Sequence, residues 1–151
     1  MFKQIFTGLL LFLVTTAQAQ DRFPAHQIGL NGFRNPSIGL EYQHRRVSMH
    51  AGYYPTNFES GVTTEFLKAG VSYWFLPWGK QPVPSAFYGG LSYLRGQTRD
   101  YRDLNALAVE AGLRWVVWKG LNLRLGVIVL GAEGKSLQVN PTPGIGYSFT
   151  L

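Results

Sequence analysis

The 151-residue chain has no cysteine, and this absence excludes two classes of exported protein. Small secreted domains stapled by disulfides need cysteine pairs, and lipoproteins are anchored through an N-terminal cysteine. Histidine is also scarce: His26, His44 and His50 are scattered along the chain without the spacing of a metal site. We therefore expect neither a metal centre nor a bound cofactor.

Long hydrophobic runs are missing after the N-terminus, so we expect no transmembrane helix in the rest of the chain. The one apolar run, residues 5–14, is shorter than the about 20 residues that a membrane-spanning helix needs. A lysine precedes this run, and Ala17-Gln18-Ala19 forms an A-x-A cleavage site after it. This order is typical of a secretory signal peptide, with an uncleaved anchor as the alternative. We predict that residues 1–19 are removed by cleavage after Ala19 and that residues 20–151 form one domain.

Charged residues make up only 15% of the chain, and the formal net charge is +6. A basic excess can indicate nucleic-acid binding, but an exported protein seldom meets nucleic acid. Anionic lipid head groups are more suitable partners for an exported basic chain. We therefore expect lipid partners and no nucleic acid.

Apolar and polar side chains alternate with a period of two through the rest of the chain. This is the pattern of β-strands that have one apolar face. The two-residue connections Arg45-Arg46 and Lys119-Gly120 indicate tight hairpins, and the prolines between residues 77 and 84 exclude a central strand there. A helix is the alternative for residues 107–117, but helical spacing would wrap their apolar side chains around the cylinder. The eight predicted strands cover residues 25–32, 37–44, 47–54, 63–75, 85–95, 107–117, 121–129 and 137–151.

The polar face of these strands is rich in glycine and poor in long charged side chains. Glycine on a water-exposed face would weaken a strand without any gain in packing, whereas small residues suit a narrow interior. Aromatic side chains gather near the strand ends, as they do at the two interfaces of a membrane barrel. We therefore predict an all-β, eight-stranded antiparallel up-and-down transmembrane β-barrel. A soluble exported lipid-binding barrel is the alternative.

The end of the chain points to a family. Tyr147, Phe149 and Leu151 alternate with small residues up to the last position. Together with the signal peptide and the eight strands, this tail resembles the small eight-stranded outer-membrane barrels of the OmpA/OmpX-like class, over essentially the whole mature chain. It departs from the family pattern by ending in leucine rather than in an aromatic residue.

That resemblance implies a location and a set of partners. It implies the outer membrane of a Gram-negative bacterium, with both ends of the mature chain in the periplasm. It implies assembly by the outer-membrane assembly machinery, with Tyr147, Phe149 and Leu151 as the assembly signal. We expect a monomer surrounded by outer-membrane lipids and lipopolysaccharide.

Five charged side chains fall on the predicted inner face of the barrel. An eight-stranded barrel is just wide enough for side chains to fill it, and an isolated charge in such an interior is costly. We therefore expect these five charges to form one ion-paired cluster that plugs the lumen of a structural or interaction protein. A narrow channel or small-solute transporter is the alternative. The cluster comprises Glu41, Lys68, Glu110, Arg114 and Arg124.

Ser48, His50 and Glu41 are the one set that resembles a hydrolase triad. A serine nucleophile needs a base within hydrogen-bond reach, and all three side chains would point inward, away from a lipid substrate. We therefore predict no catalytic residues and no enzyme activity. A lipid-modifying outer-membrane enzyme is the less favoured alternative.

Basic side chains also fall in or beside the predicted outer loops. Charge-assisted hydrogen bonds from such side chains could bind the phosphates of lipopolysaccharide, with ordinary solvated loop charge as the alternative. The five candidates are Arg34, Arg95, Arg99, Arg102 and Lys135.

Overall fold

The computed structural model describes residues 22–151, so the predicted signal peptide and its cleavage after Ala19 lie outside the described residues. Eight antiparallel strands follow one another in chain order and close into a barrel, because the last strand pairs with the first. This arrangement confirms the predicted all-β, eight-stranded, up-and-down barrel. Within residues 22–151, no helix is both long enough and apolar enough to cross a membrane. The strands are β1 (Gln27–Phe33), β2 (Ile38–His44), β3 (Val47–Glu59), β4 (Val62–Trp78), β5 (Ser85–Gly96), β6 (Asn105–Trp118), β7 (Leu121–Ala132) and β8 (Gln138–Thr150).

The two ends of the barrel are distinguished by the chain termini and by the connections between strands. Arg22 and Leu151 lie at the same end, because the number of strands is even, and we call this the terminal end. The backbone N–H of Leu151 donates to the carbonyl of His26 there (3.1 Å). The opposite end is called the far end. The terminal end has the connections 45–46, 79–84 and 119–120, and the far end has 34–37, 60–61, 97–104 and 133–137.

The strands β3 and β8 run through prolines; the sequence predicted that β3 ends before Pro55, and it included Pro141 and Pro143 in the last predicted strand. β3 continues through Pro55 to Glu59, and β8 includes Pro141 and Pro143. The short strands β1 and β2 pair with β8 and β3 only as far as Gly144 and Tyr53, so the prolines lie on segments with one neighbouring strand. A proline is tolerated at such an edge because its missing N–H has no partner there to lose.

The β3 and β8 extensions meet above the short β1–β2 hairpin. The Asn140 side chain donates to the Thr56 hydroxyl (2.9 Å) and to the Asn57 carbonyl (3.1 Å). The backbone N–H of Arg34 donates to the Pro143 carbonyl (3.1 Å). Side chains and the hairpin loop therefore bridge the far end where the backbone ladder is incomplete.

Polar and apolar side chains are distributed in the reverse of a water-soluble fold, with many polar side chains buried inside the barrel and large apolar side chains on its outer face. Among the described residues, twenty-one polar or charged residues are buried, compared with fifteen hydrophobic residues. Large apolar side chains lie exposed on the outer face, as in the cross-strand row Val71, Leu91, Val109 and Val129. A soluble domain normally buries its large apolar side chains and seldom buries charged ones unless they are paired.

Glycines on the inner face allow neighbouring strands to approach closely. Gly39 on β2 stands opposite Gly52 on β3. A Cβ atom at Gly39 would lie 2.2 Å from the carbonyl oxygen of Ala51 and 2.7 Å from the Cα of Gly52. The obstacles are backbone atoms, so a side chain cannot simply turn away to make room.

Replacing Gly39 with alanine is expected to lower the free energy of unfolding by about 1–3 kcal/mol, because overpacking forces the backbone of β3 to shift. Gly29→Ala is the matched control on the inner face of β1, since its methyl group would meet the nearest atom at 3.6 Å. Urea unfolding of both variants under identical conditions compares the two costs. Equal losses would contradict the clash as the cause.

Candidate functional site: the barrel lumen

The five charged residues predicted on the inner face all lie inside the barrel, and each is buried. The alternation of strands explains this placement, because residues two apart on a strand share a face. The structure brings these charges together as two ion pairs and one separate arginine rather than as one cluster.

The first ion pair crosses the lumen from β7 to β2. Arg124 donates from Nη2 to Oε1 of Glu41 (2.8 Å) and from Nη1 to Oε2 (3.3 Å), which is a bidentate contact. Its Nε donates to the side-chain oxygen of Asn122 (3.2 Å), and the Ser48 hydroxyl donates to Glu41 (3.4 Å). A buried carboxylate with several donors can keep its charge in a low-dielectric interior.

The second ion pair joins Lys68 on β4 to Glu110 on β6. The Lys68 ammonium also donates to the backbone carbonyl of Pro36 (2.7 Å) in the far-end turn. The Ser92 hydroxyl donates to the second carboxylate oxygen of Glu110 (2.6 Å), and His50 Nε2 lies 3.9 Å from that oxygen. This pair therefore ties β4, β5, β6 and the β1–β2 turn together.

The structure differs from the expected cluster at Arg114. This side chain donates to the Gln43 side-chain oxygen (3.0 Å) and to the Pro84 carbonyl (3.2 Å), and its guanidinium lies 4.1 Å from the centre of the Trp74 ring. Within residues 22–151 it makes no ion pair with a carboxylate. Arg114 and Arg124 stand opposite each other in the β6–β7 register, and Arg124 is the one that forms the ion pair with Glu41.

An aromatic cluster fills the lumen near the terminal end. Phe23, Trp74, Ala86 and Tyr88 are buried together there. The Trp74 indole N–H donates to the Ser48 hydroxyl (2.9 Å), which links this cluster to the first ion pair. Trp74 was not among the residues singled out from the sequence, although it follows the inward positions of β4 by the same period of two.

A second, larger apolar cluster closes the lumen at the far end. A short 3₁₀ helix (Arg99–Tyr101) in the 97–104 connection carries the Tyr101 ring into the barrel mouth, where it lies 5.5 Å from the Phe66 ring and 5.0 Å from the Phe58 ring. The strands predicted from the sequence leave residues 96–106 as a connection, and Tyr101 was not singled out from the sequence. The buried members are Tyr54, Phe66, Leu94, Tyr101, Ala106, Ala108, Ile128, Leu130 and Ala132.

Ser48, His50 and Glu41 do not form a proton relay. The Ser48 hydroxyl donates to Glu41 and accepts from Trp74, whereas His50 lies beside Ser92 (3.5 Å). No hydrogen bond joins Ser48 to His50 in the described chain, so His50 is not placed to accept the proton of that hydroxyl. In the same part of the chain, no group of three or more histidine, cysteine, aspartate or glutamate residues is arranged to hold a metal.

The five basic residues predicted to contact lipopolysaccharide all lie at the far end. Arg95 donates to Asn105 (2.8 Å) and pairs with Asp103 (3.4 Å), Arg99 donates to the Thr63 carbonyl (3.0 Å), and Lys135 lies over the Tyr101 ring. Five carboxylates share this end, so its formal charge is zero within the described residues. These are Glu59, Glu65, Asp100, Asp103 and Glu133.

The predicted assembly signal lies on the outer face of β8 and at the residue after it. Tyr147, Phe149 and Leu151 are exposed by 45%, 40% and 72%, while Ser148 between them is buried.

Comparison with known proteins finds no match: no protein-family model matches the chain, and neither does any curated protein or any solved structure.

Proposed function

We propose that the chain is an integral outer-membrane β-barrel protein of a structural or interaction type, similar in class to the small OmpA/OmpX-like barrels. The reversed distribution of polarity carries this proposal. A contiguous apolar outer surface is unstable in water and suits the hydrocarbon of a bilayer, and the pairing of β8 with β1 closes the ring of strands, so that unpaired edges are confined to the ends of the longer strands.

The interior argues against a soluble carrier of lipid. A carrier barrel holds its ligand in an apolar cavity, whereas this lumen holds two ion pairs and many hydrogen-bonded polar side chains. The proposed lipid partners are therefore those surrounding the outer face, including lipopolysaccharide. The outer-membrane assembly machinery remains the proposed partner of the tail, Tyr147, Phe149 and Leu151.

The filling of the lumen supports a plug rather than a channel. The aromatic cluster at Trp74, the two ion pairs and the far-end cluster occupy successive levels along the barrel. Phe23 before β1 and Tyr101 after β5 each bring an aromatic ring towards one mouth. Four of the five charged side chains are paired with one another, and Arg114 contacts Gln43, Pro84 and the Trp74 ring, so each charged group has partners within the protein.

Expression of the full chain in a Gram-negative host tests the location. We expect the protein in the outer-membrane fraction, with a faster-migrating band on unboiled gels than on boiled gels, because a closed barrel resists detergent unfolding. Recovery as a soluble periplasmic protein would overturn the membrane assignment.

The purified barrel in planar bilayers is expected to show no steady conductance. Steady conductance that changes in the Arg114→Ala variant would overturn the plugged lumen and favour a narrow channel, because Arg114 lies in the lumen. Mass spectra of lipid A are expected to be the same with and without the protein. A new lipid A species would instead favour an enzyme.

A further inference from the structure

The described residues at the terminal end of the barrel carry a net positive charge. Within residues 22–151, this end carries five cationic side chains and no carboxylate side chain, in contrast to the balanced far end. The five cations are Arg22, Arg45, Arg46, Lys80 and Lys119.

Two of these five cations are held by the protein itself. Arg22 donates to the carbonyls of Pro77 and Gly79, and Arg46 is buried and donates to the Tyr73 hydroxyl (3.1 Å). Arg45, Lys80 and Lys119 are exposed, and no ion pair joins them to a described residue. Each of the three connections at this end therefore presents one exposed cation.

Two of the exposed cations occupy strained backbone positions. Arg45 has φ 52° and Lys119 has φ 49°, in the left-handed region that glycine or asparagine adopts more readily. A long basic side chain gives no conformational advantage at such a position.

A cleft of about 230 Å³ lies between the 79–84 connection, the 119–120 turn and the end of β8. The polar residues Gln81, Lys119 and Thr150 line this cleft together with the apolar Phe149. The Trp118 ring lies beside the cleft, 62% exposed and 5.0 Å from the Lys119 ammonium. Exposed tryptophan is typical of the membrane interface, where lipid phosphates lie.

We infer that the terminal end binds anionic phospholipids, and that the cleft at Lys119 holds one phosphate head group with its acyl chains along the outer face near Phe149. The inference rests on the proposed membrane location. Two observations support it. The exposed cations, which have no ion pair with a described residue, complement the negative charge of phosphodiester groups, and one of them, Lys119, lies close to an exposed tryptophan of the kind found at membrane interfaces.

Quenching of tryptophan fluorescence in vesicles tests this inference, because it reports on lipids at the terminal end of the barrel. All four tryptophans lie in the terminal-end halves of β4 and β6. The barrel is folded into phosphatidylcholine vesicles that contain either brominated phosphatidylglycerol or brominated phosphatidylcholine. At about 1 kcal/mol per cation near an anionic surface, each exposed cation favours the anionic lipid about fivefold.

We expect phosphatidylglycerol to quench at lower mole fraction than phosphatidylcholine, with a relative association constant of about five or more. The variant Arg45→Asn/Lys80→Gln/Lys119→Asn is expected to lose most of this preference, and asparagine suits both left-handed positions. The matched control Arg99→Gln/Arg102→Gln/Lys135→Gln removes the same charge at the far end and is expected to keep the preference.

Three results would count against the inference, and one of them also bears on the proposed function. Equal quenching by both lipids, with the unboiled barrel migrating as folded, would overturn the anionic site alone. Equal loss of preference in both triple variants would overturn it in favour of an effect of net charge. Failure to insert into vesicles of either composition would overturn the proposed membrane barrel itself.

Discussion

Replacing Arg124 with methionine is expected to lower the free energy of unfolding by about 3–5 kcal/mol. The substitution removes the bidentate partner of Glu41 and leaves that carboxylate buried in the lumen. The Ser48 hydroxyl, at 3.4 Å, would be the one described donor left to it. A weak hydrogen bond cannot replace a charge-assisted pair, so the cost is mainly that of a buried, uncompensated charge.

Arg114 provides a matched control for this prediction. It stands opposite Arg124 in the register, it is equally buried, and Arg114→Met is the same chemical change. The change removes a cation that has no carboxylate partner among the described residues, and it also removes repulsion towards Arg124. Its cost is expected to be about 1 kcal/mol, for the hydrogen bonds to Gln43 and Pro84.

The double variant Glu41→Gln/Arg124→Met separates lost pairing from lost volume. Neutralising Glu41 removes the buried charge, so the double variant is expected to recover at least half of the loss caused by Arg124→Met alone. Urea unfolding in phospholipid vesicles, followed by migration on unboiled gels, measures all variants under one condition. Similar losses for Arg114→Met and Arg124→Met, with no recovery in the double variant, would contradict the assigned pairing.

The alternation of side chains was sufficient to predict the strands and their inner faces. Glycine, serine and charged residues two apart, such as Lys68, Gly70 and Ser72 on β4, lie on one face, and that face is the lumen. A period of two translates directly into a face, because successive side chains of a strand point to opposite sides of the sheet.

Partners across the lumen could not be predicted in the same way. Which side chains meet depends on how the strands are staggered around the ring, and that stagger belongs to the closed barrel rather than to any one strand. The β6–β7 register places Glu110 opposite Ile128 and Arg114 opposite Arg124, so the nearest carboxylate for Arg124 comes from β2. The sequence therefore placed Arg114 on the inner face without indicating which side chains it contacts.

Strand length was also hidden from the local pattern. Pro55 and Pro141 are compatible with strands only because β1 and β2 are short and leave β3 and β8 as edges there. The same local sequence beside longer neighbours would break the ladder. The length of one strand thus decides whether a proline in another is allowed.

Replacing Trp74 with alanine is also expected to have a large effect. It should lower the free energy of unfolding by about 3–5 kcal/mol. Its ring is buried against Tyr88 at 5.1 Å between ring centres, and the Arg114 guanidinium lies over it. Alanine would leave a cavity in the terminal-end part of the lumen. It would also remove the cation–π contact of an arginine that has no described carboxylate partner.

Two further variants identify which property of Trp74 matters. Trp74→Phe keeps a ring but loses the hydrogen bond to Ser48, so we expect a loss of about 1 kcal/mol for the bond together with a smaller packing cost. Trp115→Ala makes the alanine change on the outer face, where lipid fills the space, and is expected to cost less than Trp74→Ala. Migration on unboiled gels across a urea series avoids relying on tryptophan fluorescence. If Trp115→Ala cost as much as Trp74→Ala, the packed lumen would not be the source of stability, and the plug would lose its main structural support.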